Sequence, residues 1–173
     1  MNPDLLATMR DSFQAGAFPV YLAGAVGCGK SFTAALVYAR WTGSVSMFRY
    51  CDLISDAITA EKYGEIIRTN DDGQAIEMTR GQWWRWLENV GLLIIDEIGT
   101  GMSHEWRKEM LWNVLEIRKG RPLLMTGNIL LNAIGEQFDA RIQSRLIEGT
   151  IIEVAGPDRR REGVQHRMHR VQV

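Results

Sequence analysis

Apolar residues gather in five short runs along the chain, and a glycine lies close to the start of each run. Runs of this length are typical of buried strands. Residues 44–50 alternate apolar and polar positions, whereas Leu92 to Ile95 are apolar throughout. The predicted strands are residues 18–22, 44–50, 92–96, 122–126 and 150–155.

Stretches with apolar residues at helical spacing lie between these runs. They predict helices over residues 3–14, 30–42, 52–68, 75–90, 103–119 and 130–147, the last with a break near Gly135. Asn2 and Ser103 are expected to cap helix starts, and Gly43 and Gly120 to follow helix ends. The polar segment TNDDGQ, residues 69–74, predicts a surface loop. The first helix is expected to cover an edge of the sheet.

Strands that alternate with helices predict an α/β fold, with a parallel five-stranded sheet, right-handed crossovers and helices on both faces. A chain of 173 residues, 46% of them apolar, is typical of one packed domain. In open sheets of this kind, ligands bind at the carboxyl ends of the strands. Candidate functional residues are therefore expected at those ends.

The charge and the cysteine content narrow the classes of partner and compartment. The net charge is −1 and the isoelectric point is near 6.3, so nucleic-acid binding needs a local basic patch. Cys28 and Cys51 are too few for a disulfide framework. No apolar run approaches the roughly 20 residues that span a bilayer, and the first residues lack a signal-peptide pattern. We expect an intracellular, cytoplasmic protein without a membrane partner.

The segment GAVGCGKS, residues 24–31, is the first candidate for chemistry. It fits G-x-x-x-x-G-K-[ST] between a predicted strand and a predicted helix, the context in which this pattern binds phosphates. Glycines let backbone N–H groups approach a triphosphate, Lys30 adds charge for the β- and γ-phosphates, and Ser31 can hold Mg²⁺. The expected contacts with ATP are Gly24, Ala25, Val26, Gly27, Cys28, Gly29, Lys30, Ser31 and Phe32. The alternative is a glycine turn that only joins strand to helix.

Two acidic residues follow the apolar run in GLLIIDEIGT. A buried strand that ends in Asp96 places its carboxylate beside the Mg²⁺ held by Ser31. Glu97, one residue on, points elsewhere and can orient or deprotonate the attacking water. The alternative is a pair of solvated turn acids.

Asn128 comes just past the next apolar strand, in PLLMTGN. Its amide can hold the water and the γ-phosphate without adding charge to the site. Asparagine is also common in turns that contain glycine, so the position of Asn128 rather than its residue type supports the prediction.

With these motifs the chain resembles the AAA+ ATPases of the DnaC/DnaI helicase-loader and IstB group. The resemblance runs from about Tyr21 to Arg160, through LLIIDEIGTGMSHEWRKEMLWNVLEIRKGRPLLMTGN and FDARIQSRLIEGTIIEVAGPDRR. It implies Lys30 and Ser31 as the Walker A pair, Asp96 and Glu97 as Walker B, and Asn128 as sensor 1. It also implies a compact AAA+ core without a separate helical lid, over residues 1–160, with an N-terminal helix at 1–16.

The same resemblance assigns arginines in ARIQSRL and GPDRRR. Arg145 matches the arginine finger, and Arg141 its companion one helical turn earlier. Arginines four residues apart share a helix face, and ordinary surface charge is the alternative for both. Arg160 is expected near the nucleotide or the subunit interface, although Arg159 and Arg161 are not distinguished from it.

Two segments are candidates for contact with nucleic acid. The tail at 161–173 extends a basic stretch that begins at Asp158 and holds five arginines against two acids. It can bind phosphates or be a solvated end. Trp83, Trp84 and Trp86 can stack on single-stranded bases or pack in the core.

The motifs predict a Mg²⁺-dependent ATPase, and the resemblance implies that it assembles head to tail and controls assembly on single-stranded DNA, as in helicase loading during DNA replication. The expected protein partner is a replicative helicase or a transposase. Only about 20 residues precede the loop, where helicase loaders usually carry a helicase-binding domain. The alternatives for this chain are binding through another surface, a partner that supplies the missing contact, or a reduced phage or mobile-element relative. The alternatives are an IstB-like transposition ATPase, a nucleotide-gated binding module with little turnover, and a small-molecule kinase.

Overall fold

The structure, a computed structural model, describes residues 3–69, 73–99, 105–156 and 158. Its strands are β1 Val20–Ala23, β2 Val45–Arg49, β3 Glu65–Thr69, β4 Ala75–Thr79, β5 Leu92–Ile98, β6 Leu123–Gly127 and β7 Thr150–Glu153. Its helices are α1 Pro3–Ala15, α2 Lys30–Arg40, α3 Tyr50–Tyr63, α4 Arg80–Asn89, α5 Glu105–Ile117, α6 Leu131–Gln137 and α7 Ala140–Glu148.

Five of these strands form one parallel sheet in the order β2-β5-β6-β1-β7. The predicted α/β fold with a parallel five-stranded sheet is confirmed. Strands β1, β5 and β6 lie in the interior of the sheet, and the apolar residues of each are almost completely buried. The carboxyl ends of β1, β5 and β6 therefore meet along one rim.

Alternate residues of the strands pack on opposite faces of the sheet. One face carries Tyr21, Leu93, Ile95 and Met125 and is covered by helices α3 to α7. The other face carries Val20, Leu22, Leu92, Ile94 and Leu124 and is covered by α1 and α2. Met9 of α1 is buried on that face, so the prediction that the first helix covers a sheet edge was wrong.

The predicted helices over 52–68 and 75–90 were partly wrong, because a β-hairpin lies between them. Helix α3 ends before Gly64, which adopts the left-handed φ of 78° that residues with a Cβ avoid. Strands β3 and β4 then pair antiparallel in a separate two-stranded sheet. Thr79 caps α4 in a reciprocal pair of hydrogen bonds with Gln82, which places the helix start at Arg80.

The remaining boundaries differ from the predictions by smaller amounts. The break predicted near Gly135 lies instead at Phe138 and Asp139, where the Asp139 side chain accepts a hydrogen bond from the N–H of Arg141 and caps α7. Helix α2 ends at Arg40 and α5 at Ile117, two residues earlier than predicted in each case. The predicted caps Asn2 and Ser103 lie outside the described residues.

Candidate nucleotide site

The glycine-rich loop leaves the carboxyl end of β1 and leads into α2. Strand β1 ends at Ala23 and α2 begins at Lys30. Gly27 and Gly29 have φ of 80° and 103°, in the left-handed region that favours glycine. The loop therefore turns tightly at the N-terminus of α2, where free N–H groups and the positive end of the helix dipole favour an anion.

Lys30 is held inside this loop. Its side chain is buried, and Nζ donates hydrogen bonds to the carbonyl oxygens of Gly24 and Ala25 at 2.8 and 2.7 Å. Cys28 is also buried, with Sγ 3.7 Å from Nζ. These contacts keep the ammonium group beside the start of α2, where it adds to the positive potential of the helix end.

The two acidic residues at the end of β5 lie in different environments. Asp96 is 6% exposed, and its Oδ1 accepts a hydrogen bond from the hydroxyl of Thr126 on β6. Glu97 is exposed and has a φ of 62°, the left-handed region, which is rare for a residue other than glycine. Its N–H donates to the same Thr126 hydroxyl at 3.1 Å. A buried and an exposed carboxylate therefore share one threonine.

Asn128 follows β6 directly and is exposed. The next residue is fixed from β1, because the buried hydroxyl of Tyr21 donates to the carbonyl oxygen of Ile129 at 2.8 Å. Burial raises the pKa of Tyr21, so the phenol stays protonated and remains a donor near neutral pH. Asn128 is thus presented at the rim between two anchored segments.

A cavity of about 480 Å³ joins these elements. It is lined by Val26, Gly27, Gly29, Lys30, Ser31, Phe32, Glu97, Ile98, Thr126, Gly127 and Asn128. The structure brings together Lys30, Ser31, Glu97 and Asn128, which the sequence placed in one site. Asp96 contacts the lining residue Thr126, while Gly24, Ala25 and Cys28 belong to the loop but are not among the lining residues.

The residues around the cavity fit a nucleotide with Mg²⁺. The volume lies in the range of about 300 to 1,000 Å³ that is usual for small-molecule sites. Ser31 and Asp96 provide a hydroxyl and a carboxylate, the hard oxygen ligands that Mg²⁺ prefers. The hydrogen bond from Thr126 uses one carboxylate oxygen of Asp96, Oδ1, and a carboxylate has two.

The chain after β7 packs against the loop, which the sequence did not predict. Val154 donates a hydrogen bond to the carbonyl of Ala23 at 2.7 Å. A Cβ placed on Gly27 would lie 1.8 Å from Oδ1 of Asp158, so this carboxylate touches the glycine. Asp158 lies within GPDRRR, a motif that was considered only for its arginines.

The two candidate finger arginines lie on α7 and do not line the nucleotide cavity. Arg145 donates hydrogen bonds from Nε to Glu116 and from Nη1 to Glu148, the latter at 2.6 Å. Arg141 donates to Asp139 and to Glu109. The contact with Glu116 raises the pKa of Arg145, and the contacts with Asp139 and then Glu109 raise that of Arg141.

Both arginines also flank one aromatic ring. Their guanidinium carbons lie 5.2 Å (Arg141) and 5.3 Å (Arg145) from the ring centroid of Trp112. A second cavity of about 370 Å³ is lined by Trp112, Ala140, Arg141, Ser144 and Arg145. The two arginines are therefore presented together on one surface, as their spacing predicts.

The three tryptophans of α4 pack within the chain. Trp83 is completely buried, and Trp84 and Trp86 are half-buried against the same core. Trp84 donates to Glu61 at 3.2 Å, and Trp86 meets the ring of Phe48 edge-on. Packing against the core is therefore observed for all three, and stacking of bases on the exposed parts of Trp84 and Trp86 stays a prediction.

Other predictions fall on residues that the structure does not describe. Arg160, its neighbours Arg159 and Arg161, and the tail at 161–173 lie outside the described residues, as does any segment that would form a lid after residue 160. Within the described residues, none of the helices combines the length and the apolar character needed to traverse a bilayer.

Comparison with known proteins gives matches to solved structures alone. No protein-family model and no curated protein matches the chain. The crystal structure of the DnaC helicase loader superposes with a TM-score of 0.66 at 16% identity, covering 88% of this chain and 89% of that one. The crystal structure of DnaI gives 0.61 at 19% identity, covering 89% and 83%. The chain has the AAA+ P-loop fold.

A structure of the replication initiator DnaA bound to AMPPCP and single-stranded DNA also matches, with a TM-score of 0.70 at 14% identity. It is covered to 47%, against 90% of this chain, so the chain spans about half the length of that protein. At identities this low, the likeness shows a shared fold and nothing more.

Proposed function

We propose that the chain is a Mg²⁺-dependent ATPase that hydrolyses ATP to ADP and phosphate and thereby controls assembly on DNA, as in helicase loading during DNA replication. The observation that carries this proposal is the rim cavity, which gathers Lys30 and Ser31 from the loop, Glu97 from β5 and Asn128 after β6. A glycine turn that only joined a strand to a helix would not require these polar side chains around one cavity.

Each group in the cavity has a role that its chemistry suits. The N–H groups at the start of α2 and the ammonium of Lys30 bind the β- and γ-phosphates. Ser31 and Asp96 hold Mg²⁺, which when bound neutralises charge that develops between those phosphates. Glu97 orients or deprotonates the attacking water, and Asn128 binds the water and the γ-phosphate.

Arg145 and Arg141 complete the site only across a subunit interface. Neither lines the rim cavity of its own protomer, and both line the other cavity, beside Trp112. In a head-to-tail assembly, the pair is presented to the γ-phosphate of the neighbouring subunit. Guanidinium groups placed in this way stabilise transition-state charge, with effects of about 10³-fold or more in related phosphoryl transfer.

Single-stranded DNA and a replicative helicase are the partners that we propose. The DnaA structure contains single-stranded DNA, and the DnaC structure is that of a helicase loader. The basic stretch from Asp158 to Val173 supplies charge for phosphate contacts, and such binding weakens as salt rises. The same core would suit an IstB-like transposition ATPase, with a transposase as the partner.

Arg145→Ala tests the trans arrangement. We expect the variant to bind a fluorescent ATP analogue like the wild type but to lose most ATP turnover and nucleotide-dependent oligomer formation, measured by phosphate release and light scattering. Arg85→Ala is the control, because Arg85 is exposed on α4 and its Nε donates a hydrogen bond to Gly81 of the same helix. Wild-type turnover by Arg145→Ala would reject the trans role.

A nucleotide-gated binding module with little turnover is the second candidate. The observation that favours it is the engagement of Arg141 and Arg145 by acidic side chains of their own protomer. ATP hydrolysis measured with and without single-stranded DNA separates the two candidates. Turnover that rises with DNA supports the ATPase, and absence of turnover with every polynucleotide supports the module.

A further inference from the structure

Thr126 is a buried polar residue at the rim, and the sequence motifs do not include it. Its side chain is 0% exposed, it lies on β6 two residues before Asn128, and it touches both acidic residues of β5. We propose that Thr126 is a positioning residue that sets Asp96 and Glu97 for Mg²⁺ and water. This inference rests on the proposed ATPase function.

The pairing of β5 with β6 is irregular at this point. Ile95 pairs with Met125 and Ile98 pairs with Gly127, so Asp96 and Glu97 together lie opposite Thr126 alone. Two residues opposite one is the definition of a β-bulge, which redirects side chains and leaves one backbone N–H without its ladder partner. The φ of 62° at Glu97 marks the residue that the bulge displaces.

The bulge explains how the adjacent residues Asp96 and Glu97 can both lie near one cavity. Successive side chains of a regular strand point to opposite faces of the sheet, so one of the two carboxylates would be directed away from the nucleotide. Here Glu97 lines the cavity, and Asp96 contacts a residue that lines the same cavity. Both carboxylates therefore serve one site.

The hydroxyl of Thr126 stabilises this arrangement by bonding on both sides of the bulge. It accepts from the N–H of Glu97 at 3.1 Å and donates to Oδ1 of Asp96. A hydroxyl has one donor and two acceptor lone pairs, so both bonds form together. The first bond satisfies the N–H that the bulge displaces, and the second fixes the carboxylate expected to bind Mg²⁺. No carboxylate or amide side chain could replace this group without adding charge or bulk inside the sheet.

Side chains that orient a metal ligand without touching the metal affect both metal affinity and catalytic activity. Their removal commonly lowers metal affinity or activity by about 10- to 100-fold. For Thr126 this predicts that the loss concerns the Mg²⁺-dependent part of nucleotide binding and the chemical step. Binding of the nucleotide through the loop and Lys30 in the absence of Mg²⁺ is expected to persist.

The experiment compares Thr126→Val, which keeps the shape, with Thr126→Ser, which keeps the hydroxyl. Affinity for a fluorescent ATP analogue is measured in Mg²⁺ and in EDTA, with ATP turnover and thermal unfolding in parallel. We expect Thr126→Val to lose about 10- to 100-fold in turnover and in the Mg²⁺-dependent gain in affinity, with affinity in EDTA unchanged. Thr126→Ser is expected to recover most of both.

Thr150→Val is the matched control, because Thr150 begins the edge strand β7, at the amino end of that strand, and its hydroxyl donates to the carbonyl of Ala17. Thr150→Val should leave both the ATP turnover and the Mg²⁺-dependent gain in affinity unchanged. If Thr126→Val does not fold, Thr126→Ala against Thr126→Ser gives the same comparison of hydroxyl and hydrogen.

Three results overturn the inference. They are wild-type behaviour of Thr126→Val, equal losses in Thr126→Ser and Thr126→Ala, and equal losses of affinity in Mg²⁺ and in EDTA. A wild-type protein that hydrolyses no ATP, with or without DNA, would instead reject the proposed function, and the Mg²⁺ dependence of binding would still test Thr126.

Discussion

A buried arginine near the amino ends of β5 and β6, the opposite ends from the candidate site, allows one prediction to be worked from distances. Arg118 follows α5 and is 2% exposed. Its Nη1 donates to the carbonyl oxygens of Glu88 at 2.8 Å, Val90 at 2.6 Å and Leu87 at 3.3 Å, and Nη2 donates to that of Pro122. Three of these carbonyls belong to the C-terminal end of α4, where helix carbonyls lack partners and a cation is favoured.

Arg118→Met removes all four bonds while keeping a long apolar stem. Hydrogen bonds to a charged group contribute about 1.5 to 3 kcal/mol each, and a buried carbonyl left without a partner costs about 1 to 3 kcal/mol. The guanidinium also carries a burial cost, which lowers the pKa of Arg118 to about 10 and is relieved by the substitution. With this offset we expect a net loss of about 2 to 4 kcal/mol in the free energy of unfolding.

Urea unfolding followed by circular dichroism measures that loss. The control is Arg121→Met, because Arg121 forms an exposed ion pair with Glu88, at 3.2 Å, with both side chains about 40% exposed. Exposed pairs of this kind contribute about 1 kcal/mol or less. A loss for Arg118→Met no larger than that for Arg121→Met would refute the conclusion that this arginine fastens the end of α4 to the sheet.

Three further predictions concern the site and its surroundings. Gly27→Ala should lower affinity for a fluorescent ATP analogue by about tenfold or more, because the residue has φ of 80° and its Cβ would strike Asp158. Glu97→Gln should bind that analogue normally and lose about 10²- to 10⁴-fold in single-turnover hydrolysis, because the water loses its base. The hydrogen bond from Arg145 lowers the pKa of Glu116, so this carboxylate adds stability above its unfolded pKa of about 4.3 and loses it as pH falls through the lower folded value. The difference in urea midpoint between wild type and Glu116→Gln should therefore exist at neutral pH and close below about pH 4.

The central strands and the loop could be predicted because local sequence decides them. Leu92 to Ile95 and Leu123 to Met125 are continuous apolar runs, and such runs fit strands that are buried on both faces of a parallel sheet. The loop can be identified from the glycines at fixed spacing before Lys30. The alternation of these strands with helices then determined the class of fold.

The β3–β4 hairpin could not be predicted in the same way, because its strands pack on one face only. Ile66 is buried and Ile67 is exposed, so only one of these two isoleucines packs in the core. An apolar pattern this short also fits the last turn of the preceding helix, so the two were not distinguished. A signal was nevertheless present, since Gly64 marks the end of α3. The capping pair of Thr79 and Gln82 also marks the start of α4.

The arrangement of side chains at the candidate rim depended on pairing between strands, which local sequence does not contain. The order DE at the end of β5 predicted one carboxylate toward the metal and the other elsewhere. The bulge opposite Thr126 is visible only when the register of β5 against β6 is known. The sequence shows that Thr126 lies two residues before Asn128 in PLLMTGN. Its contacts with Asp96 and Glu97 could not be predicted without the register of the two strands.

The ion pairs on α7 bear on how nucleotide and assembly are coupled in the proposed ATPase. Arg145 already contacts Glu116 and Glu148, so its transfer to a neighbouring γ-phosphate exchanges one set of charge-assisted hydrogen bonds for another. An exchange of this kind needs an incoming anion that offers Arg145 charge-assisted hydrogen bonds as good as those of the two carboxylates. The γ-phosphate of ATP presents charged oxygens of this kind at the interface, and ADP, which lacks the γ-phosphate, does not. The internal acids would thus make assembly depend on the triphosphate, because without it Arg145 is better held within its own subunit.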